Sequence, residues 1–266
     1  MTLKTGLATA LVAAVVAALV TAATLGVAWR AAPGVVDAAG GALEEKRVIE
    51  IVRNYLTDNP EILVEMTSEL DKRQAEEQAA QQSKAISENK DGLFHSKLSF
   101  TGGNPEGDVT LVEFFDYNCG YCKRALADIV KLVDEDSKVK LVLKELPIFG
   151  EDSEAAAKGA LAAMKQDKYF EMHQKLYSES GKADKEKVLK VAGELGLDVE
   201  KLKTDMESDD VRKALEEARE LAQKLGLQGT PLFLIGDKVI PGAPDDLHDQ
   251  LKEKVAEIRE KGCAVC

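Results

Sequence analysis

The chain has 266 residues, of which 45% are hydrophobic and 31% charged, and its formal net charge at pH 7 is −12. This composition is typical of a globular protein with room for one sizeable domain plus extensions. The acidic balance and the absence of a basic cluster argue against a nucleic-acid-binding protein. The three histidines, His95, His173 and His248, lack the spacing of a metal site, so we expect each on the surface or on a helix face.

The N-terminus carries a long uncharged run, residues 6–29, dominated by Ala, Val and Leu. A secretory signal has an apolar core of about 7–15 residues, whereas a membrane-spanning helix needs about 20. Positive charges before the run and acidic residues beyond it predict a cytoplasmic N-terminus and an exported body. We therefore predict that residues 1–30 form a single-pass signal-anchor that inserts in the membrane through 6–29. A cleaved signal peptide is the alternative.

Residues 31–42 are small and glycine-rich, which predicts a flexible linker. Apolar residues then recur with a helical period on both sides of Asn59 and Pro60. Asn59 is a favoured N-cap and Pro60 suits a first turn, so a second helix should begin there. Short amphipathic helices need a partner surface for their apolar faces. We predict that residues 43–90 are a helical region and that 43–85 mediate homo-oligomerisation.

Glycine-rich turns predict a second linker at residues 91–108. Val109–Phe115 follows and is apolar on both faces, which indicates a strand in the middle of a covered sheet. The remaining elements are predicted in this order: a helix beginning near Cys119, a strand at 138–146, a helical insertion at 152–226, a hairpin after Pro231 and a helix at 245–261. The order β-α-β, helical block, β-β-α predicts an α/β fold.

The four cysteines form two C-x-x-C pairs, Cys119/Cys122 and Cys263/Cys266. At a helix start, free N–H groups and the helix dipole stabilise a thiolate on the first cysteine. The second cysteine lies one turn on and is placed to resolve a mixed disulfide. Four thiolates are also a ligand set for zinc, but structural zinc pairs usually lie about 15–20 residues apart, far closer than these. Lys123 stands where a c-type haem site needs histidine.

The C-terminal tail 263–266 reads Cys-Ala-Val-Cys. We predict a local disulfide, Cys263–Cys266, that catalysis does not need. The tail also fits a C-a-a-X prenylation box, but Cys is not a usual last residue and an exported chain escapes cytosolic transferases.

The segment VEFFDYNCGYCKR, residues 112–124, stands before a helical insertion and a Thr-Pro pair that leads into a hairpin. This arrangement resembles the DsbA-type thioredoxin-fold family of thiol–disulfide oxidoreductases over residues 109–262. Residues 43–72, with Asn-Pro-Glu between amphipathic helices, are similar to the N-terminal region of ScsC- and Com1-like members. The resemblance implies a trimer, although a dimer would bury the same apolar residues.

The resemblance also implies roles for individual residues. Cys119 would be the nucleophile, Cys122 the resolving cysteine and Pro231 a cis-proline facing them, preceded by Thr230. The residues themselves single out Pro231, because it cannot donate to a ladder yet directly precedes an apolar strand. A trans-proline at a strand entry is the alternative.

Glu113 is a further candidate, because strand alternation places it on the same face as Leu111 and Phe115. We predict a buried carboxyl with a raised pKa that exchanges a proton with Cys122, and Lys144 is its candidate partner. The alternative is a surface glutamate at a sheet edge.

The function that follows is disulfide exchange in exported proteins without a cofactor, with isomerisation or reduction favoured over oxidation. Gly120 and Tyr121 add no positive charge beside the thiolate, and Thr230 is typical of isomerase-like members. The alternatives are a disulfide-introducing oxidase, a redox-inert adaptor and a copper-handling protein. Expected partners are unfolded or misoxidised exported proteins and a DsbD- or DsbB-like membrane protein. The expected location is the periplasmic face of a bacterial inner membrane, or the periplasm after cleavage.

Overall fold

The structure is a computed structural model that describes residues 38–262. The predicted anchor, residues 31–37 of the first predicted linker and the pair Cys263/Cys266 lie outside the described residues. Across residues 38–262 we find no helix that combines the length and the hydropathy of a membrane span. The chain divides into two compact units, and the boundary between them in sequence lies between Arg73 and Gln74.

The first unit contains helix α1 (Ala38–Asp58) and the start of helix α2 (Glu61–Glu88). Residues 38–42 are therefore helical and do not belong to a flexible linker. Asn59 is not the predicted N-cap of α2. Its backbone N–H and its side-chain amide both donate to the Tyr55 carbonyl oxygen, at 3.0 and 2.8 Å. Asn59 thus satisfies one of the carbonyl groups that a helix end leaves without a partner.

The predicted apolar stripe of α1 and α2 is uncovered in the single chain. Its members are between 49% and 61% exposed, far more than core residues. We call the following residues the apolar stripe: Val48, Ile51, Val52, Tyr55, Leu63, Met66 and Leu70. Apolar side chains arranged in one band on a surface mark an interaction site.

The stretch 91–108 was predicted as a linker, but the structure folds it into the second unit. Helix α3 (Lys90–Phe94) buries Leu93 and Phe94 completely. Strand β1 (Phe100–Gly103) pairs antiparallel with strand β3 (Val139–Glu145). The glycines belong to this edge strand and to the turn after it, in which the Gly107 N–H donates to the Asn104 carbonyl oxygen at 2.8 Å. A four-residue strand with two glycines has no apolar alternation that the sequence would reveal.

The sheet has five strands in the order β1-β3-β2-β4-β5. Strand β2 (Val109–Phe115) lies at its centre, and all seven of its residues are buried, as predicted. It pairs parallel with β3 and antiparallel with strand β4 (Leu232–Ile235). Strand β5 (Lys238–Pro241) completes the predicted hairpin. These directions are those expected for a thioredoxin fold.

Helices cover both faces of this sheet. Helices α4 (Gly120–Glu135) and α10 (Leu247–Lys261) pack beside Leu111 and Phe115, whereas Val112 and Phe114 face a second core with α3 and the end of α2. The helical insertion consists of α5 (Glu151–Met164), α6 (Tyr169–Ser178), α7 (Lys185–Glu194), α8 (Val199–Met206) and α9 (Asp209–Lys224). Because helices cover both faces of the sheet, the side chains on both faces of β2 are mostly apolar.

Candidate active site

Cys119 occupies the N-cap position of α4, four residues after β2 ends. Its backbone is extended, with φ −83° and ψ 114°, and its Sγ accepts a hydrogen bond from the Cys122 backbone N–H at 3.4 Å. Both cysteines are free and buried. The first turn of α4 therefore directs an N–H group and the positive end of its dipole at the sulfur of Cys119, as the sequence predicted.

The pKa values of the two thiols are shifted in opposite directions. The pKa of Cys119 is lowered to about 6, first by the hydrogen bond with the Cys122 thiol and then by backbone N–H groups, which together outweigh its burial. The pKa of Cys122 is raised, first by burial, then by its hydrogen bond with Cys119 and by the charge of Glu113. At neutral pH the site therefore holds one thiolate beside one thiol.

Thr230 and Pro231 face the thiolate, and the peptide bond between them is cis, as the resemblance implied. Cys119 Sγ lies 3.3 Å from the Thr230 carbonyl oxygen and donates to it when protonated. The Thr230 hydroxyl oxygen is buried without a hydrogen-bond partner among the described residues. The loop before β4 thus brings two predicted site residues against the predicted nucleophile.

Glu113 is buried as predicted, with an exposed fraction of 2%. Its pKa is raised well above the ordinary value, first by burial and then by the negative charges of Cys119 and Glu145. The predicted partner Lys144 is wrong. Lys144 lies beside Phe114 in the β2–β3 register, so it projects to the other face, where its Nζ donates to Ser99 Oγ at 2.8 Å and to Glu217 Oε1 at 3.1 Å.

A second buried carboxyl, Glu145, lies on the same face of the sheet as Glu113. It pairs with Phe115 in the β2–β3 register, diagonal to Glu113, and it accepts a hydrogen bond from the Tyr169 hydroxyl. Burial raises the pKa of Glu145 to about 8. Glu145 was not predicted from the sequence, because a Lys-Glu pair at the end of a strand is typical of an exposed turn.

A cluster of aromatic rings joins the end of β2 and the loop after it to helix α6 of the insertion. His173 lies inside it, with its Nδ1 3.1 Å from the Tyr117 hydroxyl and its ring edge-on to Phe115. Burial lowers the pKa of His173 to about 3, so the imidazole is neutral. His173 is on a helix face as expected, but that face is fully buried. Among residues 38–262 there is no group of three or more potential metal-ligating side chains.

Asp116 holds the loop between β2 and α4 in place. One carboxylate oxygen accepts from the Asn118 N–H at 2.7 Å and the Ser153 hydroxyl at 2.8 Å, and the other accepts from the Ile148 and Phe149 N–H groups. Its carbonyl oxygen accepts from the Cys119 N–H at 3.0 Å. Asp116 was not predicted as a site residue, although a polar residue directly after a buried strand is a usable signal.

Comparison with known proteins agrees with this geometry. Residues 110–255, more than half of the chain, match the family model for the DSBA-like thioredoxin domain, and residues 44–77 match that for the copper resistance protein ScsC N-terminal domain. The chain belongs to the DsbA-like thioredoxin family. It is a thiol–disulfide oxidoreductase of the DsbA and ScsC type, and its thioredoxin-like α/β fold is that of the family.

Three DsbA-like relatives show the extent of the likeness. A thioredoxin-like oxidoreductase from Silicibacter pomeroyi is 48% identical, with a TM-score of 0.62, over 64% of this chain and 97% of that one. Proteus mirabilis ScsC in a transitional conformation is 35% identical, with a TM-score of 0.61, over 83% and 99%. Disulfide bond formation protein D of Bacillus subtilis is 28% identical over 58% of this chain and 73% of its own length.

Proposed function

We propose that the chain exchanges disulfides in exported proteins through Cys119 and Cys122, with Thr230, Pro231 and Glu113 supporting the reaction. The observation that carries the proposal is the acidic thiol of Cys119 at the start of α4, next to the Thr230 carbonyl. A thiolate at neutral pH is the form that attacks a disulfide, and a neighbouring main-chain carbonyl lies where a bound polypeptide would pass.

In the reductive direction, the Cys119 thiolate attacks one sulfur of a client disulfide. A mixed disulfide forms, and the second client sulfur leaves as a thiolate. Cys122 then loses its proton and attacks Cys119 Sγ, which releases the client's other sulfur and leaves a Cys119–Cys122 disulfide. Two electrons pass from the protein to the client. In isomerisation, a client thiolate attacks the mixed disulfide instead, and the protein returns to its dithiol form.

Glu113 fits the role of proton acceptor for Cys122 in the second step. The negative charge of Cys119 is one cause of the raised pKa of Glu113. That charge disappears when Cys119 enters the mixed disulfide, so the pKa of Glu113 falls at the moment when Cys122 must lose a proton. Loss of that charge favours the carboxylate form of Glu113 in the intermediate, the form that can accept the proton of Cys122, while burial continues to hold its pKa above the ordinary value.

The direction proposed is isomerisation or reduction more readily than oxidation. A thiol pKa of about 6 for Cys119 lies nearer the value of about 7 in thioredoxin than the value of about 3.5 in DsbA. Lower acidity means a less oxidising couple. Gly120 and Tyr121 add no charged side chain beside the thiolate.

The test compares two reactions of one client. The wild-type protein is expected to recover activity from scrambled ribonuclease faster than it oxidises reduced ribonuclease, and Cys122→Ser serves as the control that cannot complete a redox cycle. Fast oxidation without recovery of the scrambled enzyme would make the protein an oxidase. A Cys119–Cys122 disulfide that resists reduction by glutathione would instead indicate a redox-inert adaptor.

Copper handling is a second candidate, supported by the match of residues 44–77 to a domain named for copper resistance. Two neighbouring thiols suit the soft ion Cu(I). Titration of the reduced protein with Cu(I), beside a Cys119→Ser/Cys122→Ser variant, tests it. A stoichiometric absorbance change that the variant lacks would support this function.

Oligomerisation through residues 43–85 would cover the apolar stripe. The truncation that tests it must stop before the second unit, because Ile86, Leu93 and Phe94 are fully buried in the core of that unit. We expect a variant lacking residues 31–73 to be monomeric by light scattering, whereas the full chain is a trimer or dimer. An unchanged number of subunits would place the interface elsewhere.

The proposed clients are unfolded or misoxidised exported proteins, and a membrane protein of the DsbD or DsbB type would reset the Cys119–Cys122 pair. The uncharged run at residues 6–29 supports export and attachment to the periplasmic face of the inner membrane. Fractionation in high salt tests the attachment: a mature protein that begins beyond residue 20 and leaves the membrane would show a cleaved signal peptide.

A further inference from the structure

A groove of about 520 Å³ runs beside the candidate active site. Tyr121 from the C-x-x-C motif lines one part of it, and the loop through Thr230 and Pro231 lines another. Its apolar floor includes Leu232 and Val239. A polypeptide whose cysteine reaches Cys119 would bring its neighbouring residues close to Tyr121, Thr230 and Pro231, which line this groove.

The described residues that line the groove include no charged side chain. This is unusual in a chain of which 31% of the residues are charged. A charged client side chain entering the groove would find no counter-charge among these lining residues, so the lining favours uncharged client residues. Instead of charges, the groove presents three side-chain amides, those of Gln78, Gln82 and Gln228.

Two of these glutamines come from α2, at a distance in sequence from the C-x-x-C motif. Gln78, Gln82 and Ile86 are spaced four residues apart and therefore share one helix face. Ile86 is fully buried in the core that contains Leu232 and Leu234, so it fixes this helix face against the rest of the second unit. The segment 74–84 carries no large apolar residue. Burial therefore does not account for the position of the two glutamines, whereas lining the groove does.

Arg124 contacts two other lining residues of the groove, Tyr121 and Ala243. Its guanidinium donates to the Ala243 carbonyl oxygen at 2.8 Å and lies 4.8 Å from the centre of the Tyr121 ring. One side chain thus orders two lining residues that belong to different elements. Ile86 therefore anchors the helix that carries Gln78 and Gln82, and Arg124 orders Tyr121 and Ala243.

We propose that Gln78 and Gln82 bind the main chain of an extended, uncharged client segment next to its reacting cysteine. An extended peptide needs partners for its N–H and carbonyl groups, and a glutamine amide offers both a donor and an acceptor. Contacts to the main chain do not depend on the client's side chains, so the same wall serves many clients. This inference rests on the proposed function, because the groove is a client site only if Cys119 exchanges disulfides.

The experiment measures the second-order rate of the reduced full-length protein with three short peptides, each carrying one cysteine as a mixed disulfide with mercaptoethanol. The residues next to the cysteine are valine and alanine in the first peptide, glutamate in the second and lysine in the third. Hydroxyethyl disulfide, which is too small to occupy the groove, reports the intrinsic reactivity of Cys119. The variants are Gln78→Ala/Gln82→Ala, Gln78→Glu/Gln82→Glu and the matched control Gln81→Ala, an exposed neighbour outside the groove.

The wild type is expected to react fastest with the uncharged peptide. Loss of two hydrogen bonds in Gln78→Ala/Gln82→Ala should slow that reaction about tenfold, with the rate for hydroxyethyl disulfide unchanged. The double glutamate variant should prefer the lysine peptide, and Gln81→Ala should match the wild type. Equal rates of the wild type and Gln78→Ala/Gln82→Ala with every peptide would overturn this inference alone. A wild type that reacts with no peptide disulfide would overturn the proposed function as well.

Discussion

A Cys119→Ser variant is expected to lose disulfide exchange completely, whereas in the reduction of a client disulfide Cys122→Ser should complete the first step and stop at the mixed disulfide. Serine at position 119 supplies no sulfur for attack, and serine at position 122 leaves no second thiol to release the client. Reduction of insulin disulfides measures the full cycle. Mass spectrometry after acid quenching should detect the trapped complex with Cys122→Ser only.

The pH dependence of the first step tests the cause of the acidity at Cys119. In the wild type the rate should rise as pH increases through about 6, because the thiolate replaces the thiol there. Cys122→Ala removes the hydrogen bond that lowers this pKa most, so the inflection should move to higher pH. The thiolate absorbance in the ultraviolet gives the same pKa without a client. An unmoved inflection would assign the acidity to the helix N–H groups alone.

A Glu145→Gln variant is expected to be several kcal/mol more stable than the wild type at pH 8.5 and nearly equal to it at pH 5. The folded-state pKa of Glu145, about 8, lies above the ordinary value of 4.5. Between these values the native protein holds a proton that the unfolded chain has released, so the free energy of unfolding falls as pH rises. The slope is at most about 1.4 kcal/mol per pH unit, and the total is on the order of 4–5 kcal/mol.

Urea unfolding at the two pH values measures this difference. Glutamine retains an oxygen that accepts from the Tyr169 hydroxyl, so the comparison isolates the proton. Glu220→Gln on the exposed side of α9 is the control and should follow the wild type at both pH values. Equal pH slopes for the wild type and Glu145→Gln would show that Glu145 does not hold its proton in the folded state.

The elements with strong local patterns were predicted from sequence. Strand β2 is apolar on both faces, and the C-x-x-C pair begins the next helix, so the centre of the sheet and the position of Cys119 at a helix start followed from local pattern. Strand β1 did not, because its four residues gain their stability from pairing with β3 rather than from their own apolar period. Asn59 was assigned to the wrong helix, since the same residue type satisfies a free N–H at one helix end and a free carbonyl at the other.

In the candidate site, too, only the features that follow from a local pattern were predicted from sequence. The burial of Glu113 followed from strand alternation, but the assignment of Lys144 as its partner needed the register of two strands that are far apart in sequence. One residue of register decides which face a side chain occupies. The roles of Asp116 and Glu145 depend on contacts with the helical insertion, which no pattern within either strand encodes.

The two edges of the sheet bear on how the protein survives contact with unfolded chains. Each edge strand, β1 and β5, has only four residues. β5 begins at Lys238 and ends at Pro241, which has no N–H to offer, and β1 ends at Gly103, whose φ of 62° turns the backbone out of the strand. Short edges that carry lysine, proline or a kink resist the addition of a foreign strand. An unfolded chain therefore meets no long, regular edge strand with which it could pair, which disfavours co-aggregation.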